Sequence, residues 1–133
     1  MKRRGGRSAV VAVTALAAVT GLTGTGHADS TGRNIGYGQP NVPQAVVCVQ
    51  QFYNRYIEEG QGALIQVDGK FGRETDRAVR RIQSAVNTRF PGTELQVDGV
   101  VGPRTGHRMI QVLRDDWTID RGYADRCAQF LPG

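Results

Sequence analysis

Val67-Asp68-Gly69-Lys70-Phe71-Gly72-Arg73-Glu74-Thr75 is echoed 30 residues later by Val97-Asp98-Gly99-Val100-Val101-Gly102-Pro103-Arg104-Thr105. The shared pattern is V-D-G-x-Φ-G-x-x-T, where Φ is apolar. A supersecondary unit used twice leaves this kind of internal echo. Asp-Gly is a strong turn former, and the second glycine of each copy, Gly72 or Gly102, suits backbone angles closed to other residues. Phe71 and Val101 read as inward anchors. Thr75 and Thr105 stand near helix starts, where a side-chain oxygen satisfies unpaired N–H groups, and Pro103 suits a first helical turn.

Helical periodicity follows each copy: Ala78, Val79, Ile82, Ala85 and Val86 after the first, Met109, Ile110 and Leu113 after the second. Ahead of both, Val46, Val49, Phe52 or Tyr53, Tyr56 and Ile57 recur at three and four residues from Pro43 onward, and Gly60 and Gly62 stop that stripe near Glu58. The fold this predicts is all-α: a small three-helix bundle made of one helix and two turn-plus-helix units, over residues 45–114. Residues 29–44, rich in Gly, Pro, Asn and Ser without apolar period, read as a flexible leader. Residues 115–133 carry Trp117, Ile119, Tyr123 and Phe130 and read as an irregular extension packed on the domain.

Lys2, Arg3, Arg4 and Arg7 precede an apolar run from Ala9 to Val19 and a small-residue stretch ending at Ala28, so residues 1–28 read as a signal peptide cut after Ala28. The run is short for a membrane span, which needs about 20 apolar residues. Secretion to the cell exterior or wall is the expected outcome, with no membrane attachment after cleavage. Four of the 17 basic residues and none of the 12 acidic ones lie before Asp29, leaving 13 against 12. Arg73, Arg77, Arg80 and Arg81 share a helix face but alternate with Glu74 and Asp76, a solvated mixed-charge surface rather than the basic face that nucleic acid requires. No nucleic-acid partner is expected.

An exported chain with two cysteines, Cys48 and Cys127, is expected to bridge them. The rival reading, a metal site, lacks ligands: there is no CxxC and His107 is the only histidine after Ala28. Neither metal nor cofactor is expected. Catalysis fares no better. A Cys–His nucleophile would draw on a cysteine committed to a disulfide. A glycosidase pair would draw on Asp68 and Asp98, which the turns explain more economically.

Together these residues resemble the peptidoglycan-binding-like domain family found beside bacterial cell-wall hydrolases. Gln50, Tyr53 and Asn54 are similar to its helix-one signature, Asp68–Thr75 to its D-G-x-Φ-G-x-x-T turn, Ala78-Val79-Arg80-Arg81-Ile82-Gln83 to its A-V-x-x-Φ-Q segment, and Val97–Thr105 to its closing turn. The resemblance covers about residues 45–113. It departs from the family at Gly106, where a large aromatic is common, and in a longer loop, Glu59–Gln66; both fall where a ligand groove would be reshaped. The resemblance implies a non-catalytic binder of peptidoglycan, through glycan or stem peptide, with Tyr53 as an apolar wall and Arg73 and Arg104 as carboxylate ligands. The alternative is an interaction module that grips or inhibits a secreted wall hydrolase or another exported protein.

Overall fold

The computed structural model describes residues 33–56 and 62–133; the signal-peptide reading and the expected helix end near Glu58 lie outside the described residues. Four helices follow one another: α1 (Pro43–Tyr56), α2 (Arg73–Arg89), α3 (Pro103–Asp115) and α4 (Arg121–Ala128). The fold is an all-α bundle. None of the described helices is long and apolar enough to cross a membrane.

The predicted stripes supply the core. Val46, Val49, Phe52 and Tyr53 of α1 meet Ala78, Val79, Ile82 and Val86 of α2 and Met109, Ile110 and Leu113 of α3, all buried. Each Val, Ile, Leu, Met or Phe among them contributes about 1.5–3 kcal/mol when withdrawn from water, so these stripes outweigh any local propensity in fixing the bundle. Val101 is fully buried as expected, whereas its counterpart Phe71 is only half-buried. Pro43 and Pro103 begin α1 and α3, where the missing N–H is not needed. Glu74 and Asp76 sit in the first turn of α2, favourably placed against the helix dipole.

Both flanks of the repeat are more ordered than composition implies. The leader reading of residues 29–44 requires correction from Ile35 onward: Ile35 is buried and pairs antiparallel with Val101, Ile35 N donating to Val101 O at 3.0 Å and Val101 N to Ile35 O at 2.8 Å. The Asn41 side chain then closes the segment as a surrogate strand, receiving Gly36 N at 2.9 Å and donating to Gly36 O at 2.8 Å. The extension, expected to be irregular, contains the regular helix α4, whose N-cap Asp120 accepts from Gly122 N at 3.0 Å.

Cys48 and Cys127 are bridged, with Cα atoms 5.6 Å apart, tying α1 to α4. Beyond α4, Leu131 and Pro132 are buried against α3. Gly106 marks the seat: a Cβ there would collide with the backbone carbonyl of Pro132. Gly106 is therefore the space into which the C-terminal residues fold.

Candidate functional site

The two turns are held by two buried glutamines. Gln50 Nε2 donates to Asp68 Oδ1 at 2.9 Å, Lys70 O at 3.2 Å and Thr75 Oγ1 at 3.2 Å, while its Oε1 accepts from Asp68 N at 3.1 Å and Gly69 N at 3.0 Å. Gln83 repeats the arrangement, donating to Asp98 Oδ1 at 2.9 Å, Val100 O at 3.0 Å and Thr105 Oγ1 at 3.4 Å and accepting from Gly99 N at 3.0 Å. One helical turn further on, Asn54 clamps both backbone groups of Ile65, and Asn87 does the same for Leu95. No buried side-chain polar atom lacks a partner among the described residues.

This corrects two details of the turn chemistry. The positive φ falls on the first glycine of each copy, Gly69 at 70° and Gly99 at 78°, while Gly72 and Gly102 are extended. Thr75 and Thr105 do not cap their helices, which begin without a side-chain cap; they serve the glutamine hubs instead.

Both turn carboxylates are ionised structural acceptors. The Gln50 amide and the Lys70 N–H hold Asp68 below the usual carboxylate range. Partial burial pushes Asp98 upward, but the hydrogen bonds from Gln83 and Val100 N–H together with Arg80 outweigh it and leave Asp98 lowered too. A glycosidase acid needs the opposite shift.

The expected ligand residues separate. Tyr53 is fully buried, and its hydroxyl accepts from Arg81 Nη1 at 2.7 Å, so it is a core residue and offers no groove wall. Arg80 is likewise occupied, by Asp76 at 3.0 Å and Val97 O at 3.0 Å. Arg104 is exposed and stands between two clefts. One, of about 520 Å³, lies beneath the second turn and includes Asn34, Gln96 and Gly102. The other, of about 490 Å³, is lined by Thr93, His107, Arg108 and the terminal Gly133 as well as Arg104. Arg104 donates to Thr93 O at 2.9 Å and Arg108 to Thr93 Oγ1 at 3.1 Å, and the Arg108 guanidinium lies 5.1 Å from the Phe90 ring centre. Arg73, exposed at the start of α2, lines neither cleft. Arg108 is absent from the sequence-based expectations, and His107 enters them only as an insufficient metal or catalytic ligand; the signal that joins both to Arg104 is the i, i+3, i+4 spacing along one helix face.

Among the described residues no group of three or more His, Cys, Asp or Glu side chains could hold a metal ion. Comparison with known proteins finds 39% identity over 71 residues with the zinc D-Ala-D-Ala carboxypeptidase of Streptomyces albus G, covering 51% of this chain and 25% of that enzyme. The chain spans about a quarter of the length of the curated relative it matches. No protein-family model matches the chain, and no solved structure matches it.

Proposed function

We propose that this chain is an exported, non-catalytic binder of bacterial peptidoglycan. The observation that carries this reading is the similarity of half the chain to part of an enzyme named for D-Ala-D-Ala, a dipeptide terminus with a free carboxylate. The resemblance to peptidoglycan-binding-like domains, carried by the two turns, points the same way. The intramolecular bonding of Asp68 and Asp98 supports a role without catalysis, and the Cys48–Cys127 bridge suits an oxidising exterior.

The cleft between Arg104, His107 and Arg108 is where a stem-peptide carboxylate fits best. Guanidinium groups present paired N–H donors to a carboxylate, and a charge-assisted bond of this kind contributes about 1.5–3 kcal/mol when shielded from water. Exposed as this cleft is, weak binding to a dense insoluble polymer is expected. Co-sedimentation with purified sacculi tests it. Arg104→Ala and Arg108→Ala should lower the pelleted fraction while helical circular dichroism is unchanged, and Arg73→Ala, which removes the same charge away from the clefts, should not. Equal pelleting of all three variants removes the site.

A further inference from the structure

Trp117 is the chain's single tryptophan, and it is 91% exposed, the most exposed large apolar side chain among the described residues. Tryptophan is highly buried on average, so this exposure calls for an explanation. A loose loop is not the explanation, because both neighbours of Trp117 are clamped. Asp116 accepts from Thr118 N at 2.9 Å, Thr118 Oγ1 at 2.6 Å, Tyr56 Oη at 2.8 Å and Arg55 Nε at 3.4 Å, and Arg55 Nη2 donates to Thr118 Oγ1 at 2.8 Å. Residues 116 and 118 are thereby fixed to the end of α1 while the indole between them projects into water. With the backbone on both sides held in advance, only the indole's own side-chain torsions remain to be ordered when it meets a ligand.

Beside the indole lies a concave surface of about 570 Å³ between the end of α3 and the start of α4. Its rim carries Arg114, Asp115, Arg121 and Asp125, all exposed. The two ion pairs found among the described residues, Arg55–Asp116 and Arg80–Asp76, use none of these four. Arg121 and Asp125 stand four apart on α4, a spacing at which opposite charges meet, yet they are not paired. The concavity therefore sets one flat apolar face beside both cationic donors and anionic acceptors.

We infer that Trp117 and the rim of this concavity form a second wall-binding site that takes the glycan strand, with an N-acetylhexosamine ring stacked on the indole. The inference rests on the wall-binding reading and adds a site outside the repeated turns. A pyranose ring has an apolar C–H face and a periphery of hydroxyl and amide groups that both donate and accept. A mixed-charge rim satisfies both roles, where a purely basic rim would select anions. A protein partner fits less well: interface anchors cluster with several aromatic or aliphatic groups inside a water-excluding ring, and here Leu113 and Ala124 at the cleft floor are buried, which leaves the half-buried Ile119 as the one other apolar side chain beside the indole.

Because Trp117 is the sole tryptophan, its fluorescence reports on this site alone. The full chain is titrated with soluble β-1,4-linked N-acetylglucosamine oligomers and with glycan strands released from purified sacculi, and acrylamide quenching is read at each point. Stacking predicts a blue-shifted emission and quenching reduced about twofold or more, as expected when an exposed indole is covered. Trp117→Ala should lower sacculus pelleting about tenfold, equivalent to roughly 1.4 kcal/mol, and Trp117→Phe should recover part of it. Unchanged quenching with Trp117→Ala pelleting like the parent chain overturns the glycan site and leaves wall binding standing. Protection by free oligomers without pelleting keeps the site and defeats the wall reading. Absence of both effects removes both. Protection that occurs only with protease-sensitive material assigns the face to a protein and overturns the inference.

Discussion

The two turn units are built alike and covered differently. In each, a buried glutamine grips the Asp-Gly turn and the threonine of the next helix, and an asparagine four residues later grips the loop. The loops differ in length, Asn54 and Ile65 being 11 residues apart and Asn87 and Leu95 only 8. The second turn lies under Ile35 through the backbone pair with Val101, whereas the first borders a cleft shared with Tyr123, Arg126 and Phe130 beside the disulfide. The difference teaches that the glutamine hub defines the unit, while loop length and covering segment vary around it.

The disulfide belongs to one side of this comparison and should have the largest effect. Its 79-residue separation gives about 4 kcal/mol in the chain-entropy model. Replacing both cysteines with alanine should lower the denaturation midpoint accordingly, and an unshifted midpoint would show that α4 docks without the tether.

The hubs themselves come next. Gln83→Leu strands the buried Gly99 N–H, Val100 O and Thr105 hydroxyl, at a cost of about 3 kcal/mol. Gln50→Leu should cost about 1 kcal/mol less, since Gly69 is less buried and water can replace part of what is lost. Urea unfolding of the two variants measures both. Equal losses would mean that solvent access does not distinguish the units.

Gly106 sharpens the comparison at the second unit's helix. Helix propensity alone predicts that Gly106→Ala stabilises by about 1 kcal/mol. The Pro132 carbonyl occupies the space of the new methyl group, so the substitution should instead destabilise by about 1–3 kcal/mol. Truncation before Leu131 should turn that loss into the propensity gain, a sign change visible in thermal melts.

The clamp below Trp117 gives the smallest effect, and it depends on pH. Hydrogen bonds from the Thr118 hydroxyl and N–H and from Tyr56 hold Asp116 down to about 2. Its contribution is therefore complete above the unfolded carboxylate value near 4 and is lost as pH falls through about 2. Tyr56, raised to about 12 by burial and by its bond to Asp116, contributes fully below about 10 and loses its contribution as pH rises through 12. Tryptophan quenching should change in both windows and stay flat between them.

Much of the fold was legible because apolar stripes and paired turns are local patterns. Residues 46–56, 78–86 and 109–113 reported their buried faces directly, and the cysteine pair followed from compartment chemistry. The unit's true extent was not legible at a fixed shift: the turns repeat at 30 residues, but Gln50 and Gln83 repeat at 33, because the first loop is three residues longer. The docking of Ile35 was hidden because one apolar residue among glycines carries no period. α4 was hidden by its length, eight residues with Gly122 in the first turn. For the candidate site, the turn pattern points to Arg104, which lies exposed beside two clefts, whereas the burial of Tyr53 is not legible because a tyrosine on an amphipathic helix gives no sign of whether its hydroxyl meets solvent or, as here, Arg81.

Peptidoglycan binding is tested most directly by mixing the full chain with purified, protease-treated sacculi at low salt and measuring the pelleted fraction over a range of sacculus concentration. Saturable pelleting that weakens as salt screens Arg104 and Arg108 is expected. A folded chain that remains wholly in the supernatant at every concentration would contradict it.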